Sequence, residues 1–460
     1  MTMWFIDQAA LKRPIYLSLA DQISRAIVDG RLANGVRLPP HRVLADSLGL
    51  SVQTVSRAYD ELIRRGMLSG ETGRGTFVRK EEPDGSLPYI PERLGEVIDL
   101  SILKPVCEAM HIDRMKAALA TLAVDLPASA VLSFRPNMIF PRHRAVAADW
   151  LRGNGLSVAP SHICLTNGAT AGMTIALMSI ATPGSTIATE AIGHHTLVPL
   201  ASYLGLKLAG LEIDEEGILP AALDAACRNE VVRGVFVQPS VINPMATLMS
   251  AARREALVEV ARRHDIAIIE NDPLGALIED RPPPIAAFAP ERTLYVTSFT
   301  KTVLPGLRTG YLAVPDRLLS AVTNRHLVTN WVATPMIAEL ATRWVVDGTA
   351  SDLVRWQRAA LRKRQAIAAR ILQGTPFRAH REGLHVWLPL ASRAAEDLFV
   401  AQARLRGVAV APGHSFQTGA ASQPAVRLSI GSTSETELET GLAVIANLYH
   451  SNPEPLLLAI

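Results

Sequence analysis

Cysteine is scarce: the 460-residue chain has three, Cys107, Cys164 and Cys227, an odd number without metal-ligand spacing. They support neither a disulfide framework nor a metal site, and the expectation is reduced thiols in a cytosolic protein. Aromatic residues are few, at 5%. No run of about eighteen apolar residues occurs, and the start lacks the basic stretch, apolar core and small-residue cleavage site of an export signal; neither a membrane span nor secretion is expected. With 48% apolar and 19% charged residues, the composition excludes a mostly disordered or fibrous chain. It leaves a globular α/β protein of roughly two to four domains, without internal repeats or low-complexity tracts.

The net charge of +3 hides an asymmetry: residues 1–80 hold twelve Lys/Arg against seven Asp/Glu, and the remainder is net −2. A basic front suits a polyanionic partner. There Ile15, Leu19, Ile23 and Ile27 recur four apart and predict a helix stopped by Gly30. Val43, Leu44 and Leu48, between Pro40 and Gly49, predict the buried stripe of a second. Ser51 can cap a third, with Val55, Tyr59, Leu62 and Ile63 inward and Gln53, Ser56, Arg57 and Arg64 outward. Two short β-prone pieces joined through Gly73 and Gly75 complete the pattern of a winged helix. Residues 81–98, with three prolines and no apolar period, read as a linker, which sets domains at 1–80 and 99–460.

From Pro14 to Val78 this order resembles the DNA-binding domain of GntR-type bacterial regulators. The resemblance implies a winged helix-turn-helix whose third helix enters the major groove of a double-stranded DNA operator. It places Ser51, Gln53, Thr54 and Ser56 toward DNA, Arg42 beside them at the start of the second helix, and Arg74 with Gly75 at the wing tip, where glycine lets backbone approach phosphate. Many relatives carry an arginine after the opening serine. Here Val52 stands there, so a bidentate arginine–guanine contact is missing, and the valine either packs or touches a thymine methyl. The competing reading of this head is a protein-interaction module.

Beyond residue 160, β-rich runs (HICLTNG, TIATE, GVFVQPS, AIAIIEND, TLYVTSFTK, TGYLAVP) alternate with helical stretches and predict a mainly parallel sheet covered by helices on both faces. Lys301 follows one such strand in SFTKTVLPGLRTGY. A lysine in a loop is most often a solvated charge, but these surroundings resemble the signature of fold-type I aminotransferases. The resemblance implies a smaller C-terminal subdomain, pyridoxal 5'-phosphate as cofactor, an imine to Lys301, and Ser298, Thr300 and Arg308 on the phosphate. Gly168, Ala169 and Thr170, an ordinary strand–helix turn when taken alone, would offer free amides to that phosphate. Asn243, before Pro244, matches the asparagine that bonds the cofactor's phenolic oxygen, and Arg427 the arginine that holds a substrate carboxylate. His194, beside His195, stands where relatives stack an aromatic ring. In IIENDPLG the usual aspartate and tyrosine count to Asn271 and Leu274, or to Asp272 if the register slips by one. An aspartate keeps the pyridine protonated, and a neutral asparagine cannot supply that charge, although imine exchange needs no deep electron sink. Phe134 lies near a family tyrosine position that reaches the neighbouring subunit's cofactor.

The whole order, GntR-type head, linker and aminotransferase-like body, resembles the MocR group of transcriptional regulators, which implies a homodimer with two heads reading half-sites. The expected function is a cytoplasmic regulator that senses a small-molecule amine or amino-acid effector, or the cofactor itself, by imine exchange at Lys301. Two alternatives stay open: an active aminotransferase carrying a DNA-binding head, and a scaffold that works through protein contacts alone.

Overall fold

In the head, α1 (Ile15–Val28) sets Leu19 and Ile23 against Val55, Tyr59 and Leu62 of α3 (Val52–Arg64), and Leu44 and Ala45 of α2 (His41–Leu48) close the core. Each fully buried apolar side chain contributes about 1.5–3 kcal/mol. The computed structural model describes residues 6–33, 35–64, 67–71, 75–78, 97–132, 141–419 and 423–451, in two compact units, Met1–Pro91 and Glu92–Ile460. Gly49 ends α2 at φ 59°, a left-handed cap that a side chain would strain. Ser51 Oγ accepts the Thr54 amide at 3.1 Å, capping α3. β1 (Leu68–Glu71) and β2 (Gly75–Val78) form an antiparallel hairpin, to which Arg37 adds a bridge at Phe77.

Two expectations fail here. Val43 is 57% exposed and Ile63 41%. The inward faces are taken by Leu44 and Ala45 on α2 and by Val55, Ala58, Tyr59 and Leu62 on α3. Val43 and Ile63 each sit one residue from such a stripe, about 100° around the helix, and turn outward.

The body is built on seven strands: β4 (Ile163–Thr166), β5 (Thr186–Glu190), β6 (Lys207–Leu211), β7 (Val232–Val237), β8 (Ala267–Asn271), β9 (Thr293–Ser298) and β10 (Gly310–Ala313). Their order is β4-β10-β9-β8-β7-β5-β6, and all neighbours are parallel except those of β10. Every position of β5, β8 and β9 is buried, as expected for strands covered on both faces. On one face, Met173, Ala176 and Leu177 of α4 (Ala169–Ile180) pack on Phe236, Ile269 and Val296. On the other, Leu257 and Val258 of α5 (Ala251–Arg263) pack with Val235 and Ile268.

A smaller antiparallel sheet follows, in which β11 (His385–Pro389) pairs with β12 (Ala425–Ser429) and Trp387 lies opposite Arg427. β3 (Ile98–Asp99), the first described strand after residues 79–96, pairs with Val408–Ala409. The turns after β4, β8 and β9 open at one end of the parallel sheet, where α/β folds bind ligands. No helix among the described residues is long and apolar enough to cross a membrane.

Candidate functional site

β4 leads through Asn167 into Gly168, the residue before α4, at φ 84°. A side chain there would strain the backbone and come within 3.0 Å of the Arg308 guanidinium. The first amides of α4 are thus open to an anion, with an arginine beside them. Arg308 is exposed and forms no hydrogen bond or ion pair with the described residues. Ser298, which ends β9, is buried, and Thr300 Oγ1 is a buried hydroxyl without a partner. Thr170 is exposed in the first turn of α4.

Lys301 directly follows Thr300. Burial first, then the charges of Arg427 and Arg308, bring its ammonium down to about 8. Its Nζ donates to the Leu103 carbonyl. Arg427 on β12 is 3% exposed; burial draws its guanidinium down to about 10, partly opposed by Asp99. One of its nitrogens donates to Asn243 Oδ1 at 2.9 Å, another to the Ser101 carbonyl, and Nε has no partner. It also lies 4.9 Å over the Phe416 ring. Two buried basic side chains, Lys301 and Arg427, therefore donate to carbonyls two residues apart, on the strap that runs from β3 through Ser101 and Leu103. The strap is fixed by Ser432 Oγ, donating to the Asp99 carbonyl at 2.7 Å, and by Gly431, where a side chain would collide with the Lys104 carbonyl.

His194 and His195 stack at 5.4 Å, and His195 meets Phe416 edge-on. Burial, then the neighbouring positive groups, lower them to about 3 and about 4, so both are neutral at pH 7. At the end of β8, Asn271 is 1% exposed and neither end of its amide has a partner. The Asp272 carboxylate instead accepts Arg281 Nη1 at 2.8 Å and the Tyr295 hydroxyl at 2.9 Å. Leu274 is buried in the core. The strap carbonyls, Arg281 and Tyr295 were absent from the sequence reading; backbone acceptors carry no residue signature, and the latter two lie 9 and 23 residues from Asp272.

In the head, Arg42, Ser51 and Gln53 are exposed, and Thr54 and Ser56 are half-buried on the same end of α3. Val52 is 43% exposed beside Gln53, so it does not pack. Arg57 lies 4.2 Å over the Tyr16 ring and ties α3 to α1. Gly75 has φ 120°, and a side chain there would meet Arg37 Nε at 2.8 Å. Arg74 and Phe134 lie outside the described residues.

Residues 106–445 match the family of class I and II aminotransferases, and residues 15–78 match the bacterial regulatory proteins of the gntR family. The HTH-type transcriptional regulator YdeF of Bacillus subtilis is 27% identical over 96% of both chains. The HTH-type pyridoxine biosynthesis transcriptional regulator PdxR of Corynebacterium glutamicum is also 27% identical, over 93% of this chain and 94% of its own. Among solved structures, a kynurenine aminotransferase of Pyrococcus horikoshii superposes with a TM-score of 0.72 at 19% identity, over 78% of this chain and 91% of the other.

Proposed function

Since this chain belongs to the class I and II aminotransferase family and carries a gntR-family head, the MocR-type arrangement, we propose that it is a cytoplasmic transcriptional regulator. In this reading a homodimer binds operator DNA through its heads and pyridoxal 5'-phosphate through its bodies. One observation carries the ligand side: Lys301, Arg308 with the open amides of α4, and Arg427 converge without any carboxylate ion-paired to them among the described residues. Such a site fits a doubly anionic group plus a carboxylate. The unpartnered Thr300 hydroxyl and Asn271 amide are polar groups that such a cofactor would satisfy.

Arg308, Thr300, Ser298 and the amides of Gly168, Ala169 and Thr170 would hold the phosphate. Asn243 would face the ring's phenolic oxygen, and His194 its flat side. When bound, the cofactor supplies an aldehyde carbon that Lys301 and an incoming amine can hold in turn. Lys301 suits that exchange because much of it is already the unprotonated nucleophile near pH 8. A carboxylate that takes both Nε and Nη2 of Arg427 would displace the Ser101 carbonyl, and Lys301 would leave that of Leu103. Both losses fall on the strap, which continues directly into β3 and the chain leading to the head. A ligand then alters DNA affinity to the extent that it binds the two strap positions unequally.

On α3, Gln53 is the side chain suited to reading a base edge, and exposed Val52 is suited to a thymine methyl. Arg42, Ser51, Thr54, Ser56, Arg74 and Gly75 would meet phosphates or flanking groups. The test of the body is the visible spectrum of purified protein with pyridoxal 5'-phosphate, before and after borohydride, followed by peptide mapping. A reducible band on Lys301, missing in Lys301→Ala, is expected. A band mapped to another lysine, or none, rejects the reading. Multiple-turnover keto-acid formation would favour a working aminotransferase.

A further inference from the structure

The end of β8 offers two adjacent side chains to the ring nitrogen of the cofactor, and they point to opposite faces of the sheet. In register, Asn271 pairs with Val296, whose side chain lies 3.0 Å from the position a Cβ of Gly172 on α4 would take. Asn271 therefore stands on the α4 face, the face that begins at Gly168 and Arg308. Glu270 pairs with Tyr295 on the other face. There its carboxylate accepts the Ile285 and Ala286 amides at 2.9 and 2.8 Å. Asp272 turns to the same side, to Arg281 and Tyr295, and Gly275 leaves room for its carboxylate where any side chain would collide with it. Asp272 Oδ1 is unpartnered, but swinging the carboxylate toward the α4 face would break both bonds of Oδ2. The fully free buried group is the amide of Asn271, and a buried polar group left unmet costs about 1–3 kcal/mol.

We infer that Asn271, and not Asp272, meets the ring nitrogen, its Nδ2–H donating to an unprotonated ring, so that this site exchanges amines while drawing little charge out of them. The inference rests on the cofactor reading above. In the hydrogen bond the proton stays on the amide, since a neutral amide has none to give up. Taking the α-proton from a held amino acid leaves an electron pair that the ring must accept, and an unprotonated ring accepts it poorly. Replacing one amine by another places no electron pair in the ring. The amino acid would thus leave chemically unchanged, as a reversible signal requires.

The test is nitrogen-15 NMR of the full chain loaded with ring-labelled pyridoxal 5'-phosphate. The wild-type signal is expected at the position of an unprotonated, hydrogen-bonded pyridine. Asn271→Asp should move it strongly upfield, to that of a pyridinium. Asp272→Asn should leave it in place, while lowering thermal stability through the loss of the Arg281 and Tyr295 bonds. A pyridinium signal in wild type that disappears in Asp272→Asn would overturn the assignment to Asn271 and leave the cofactor reading intact. No bound signal, with no reducible band on Lys301, would overturn both. The wild-type spectrum decides the matter even if a variant fails to fold.

Discussion

The head keeps most of the polar side chains assigned to recognition at least partly in water, whereas the body encloses most of its own, Arg308 and Thr170 excepted. Arg42, Ser51 and Gln53 are exposed, while every buried side-chain nitrogen or oxygen without a partner among the described residues lies at Asp99 or beyond. The difference follows from the ligands proposed for each. A long polyanion is met by a solvated surface, where released counterions drive binding and base edges add selectivity. A small anion is met by desolvated charges, which act more strongly at low dielectric but must wait unpaired or leaning on backbone carbonyls. Ser101 and Leu103 provide those carbonyls.

If the head works by surface contact, damage there should be local and sensitive to sequence and salt. Gln53→Ala is expected to cost about 1–3 kcal/mol at one base position of a duplex selected from a random library, whereas Arg42→Ala weakens all duplexes similarly and flattens the salt dependence. Competition binding at two salt concentrations separates them; a Gln53→Ala loss spread evenly over all sequences would remove its base-reading role.

If the body works by enclosed charge, removing one cation should be felt by another. The Lys301 amine reacts only when unprotonated, and its folded value near 8 lies below the ordinary 10.5. Cofactor capture should therefore accelerate as pH rises through about 8 and level off before pH 10. Arg427→Met removes a charge that lowers this value, so its profile should shift to higher pH. Stopped-flow absorbance measures both, and an unshifted profile would show that Arg427 does not act on Lys301.

The sequence carried most of the scaffold because the scaffold is written in repeats of residue type. The α1 and α3 stripes and the six runs from HICLTNG to TGYLAVP became the expected helices and strands. β6 was unread, since KLAGL has neither strong alternation nor β-branched residues. Val43 and Ile63 were misplaced because an apolar residue next to a stripe looks like part of it. In the candidate site, Lys301, Arg308 and Arg427 could be picked out by motif. The choice between Asn271 and Asp272 could not, because it depends on strand pleat and on partners far along the chain. The strap was invisible, since its working atoms are backbone oxygens.

The central claim is that the enclosed site governs the exposed one. Its most direct test is the affinity of the full chain for a selected duplex, followed by fluorescence anisotropy. Pyridoxal 5'-phosphate is added first, then a mixture of the standard amino acids, to wild type and to Lys301→Ala. The account predicts a shift in wild-type affinity of roughly five- to 150-fold, the usual range of coupling between sites, and none in Lys301→Ala. Superimposable wild-type curves under all three conditions, or an equal shift in Lys301→Ala, would contradict it.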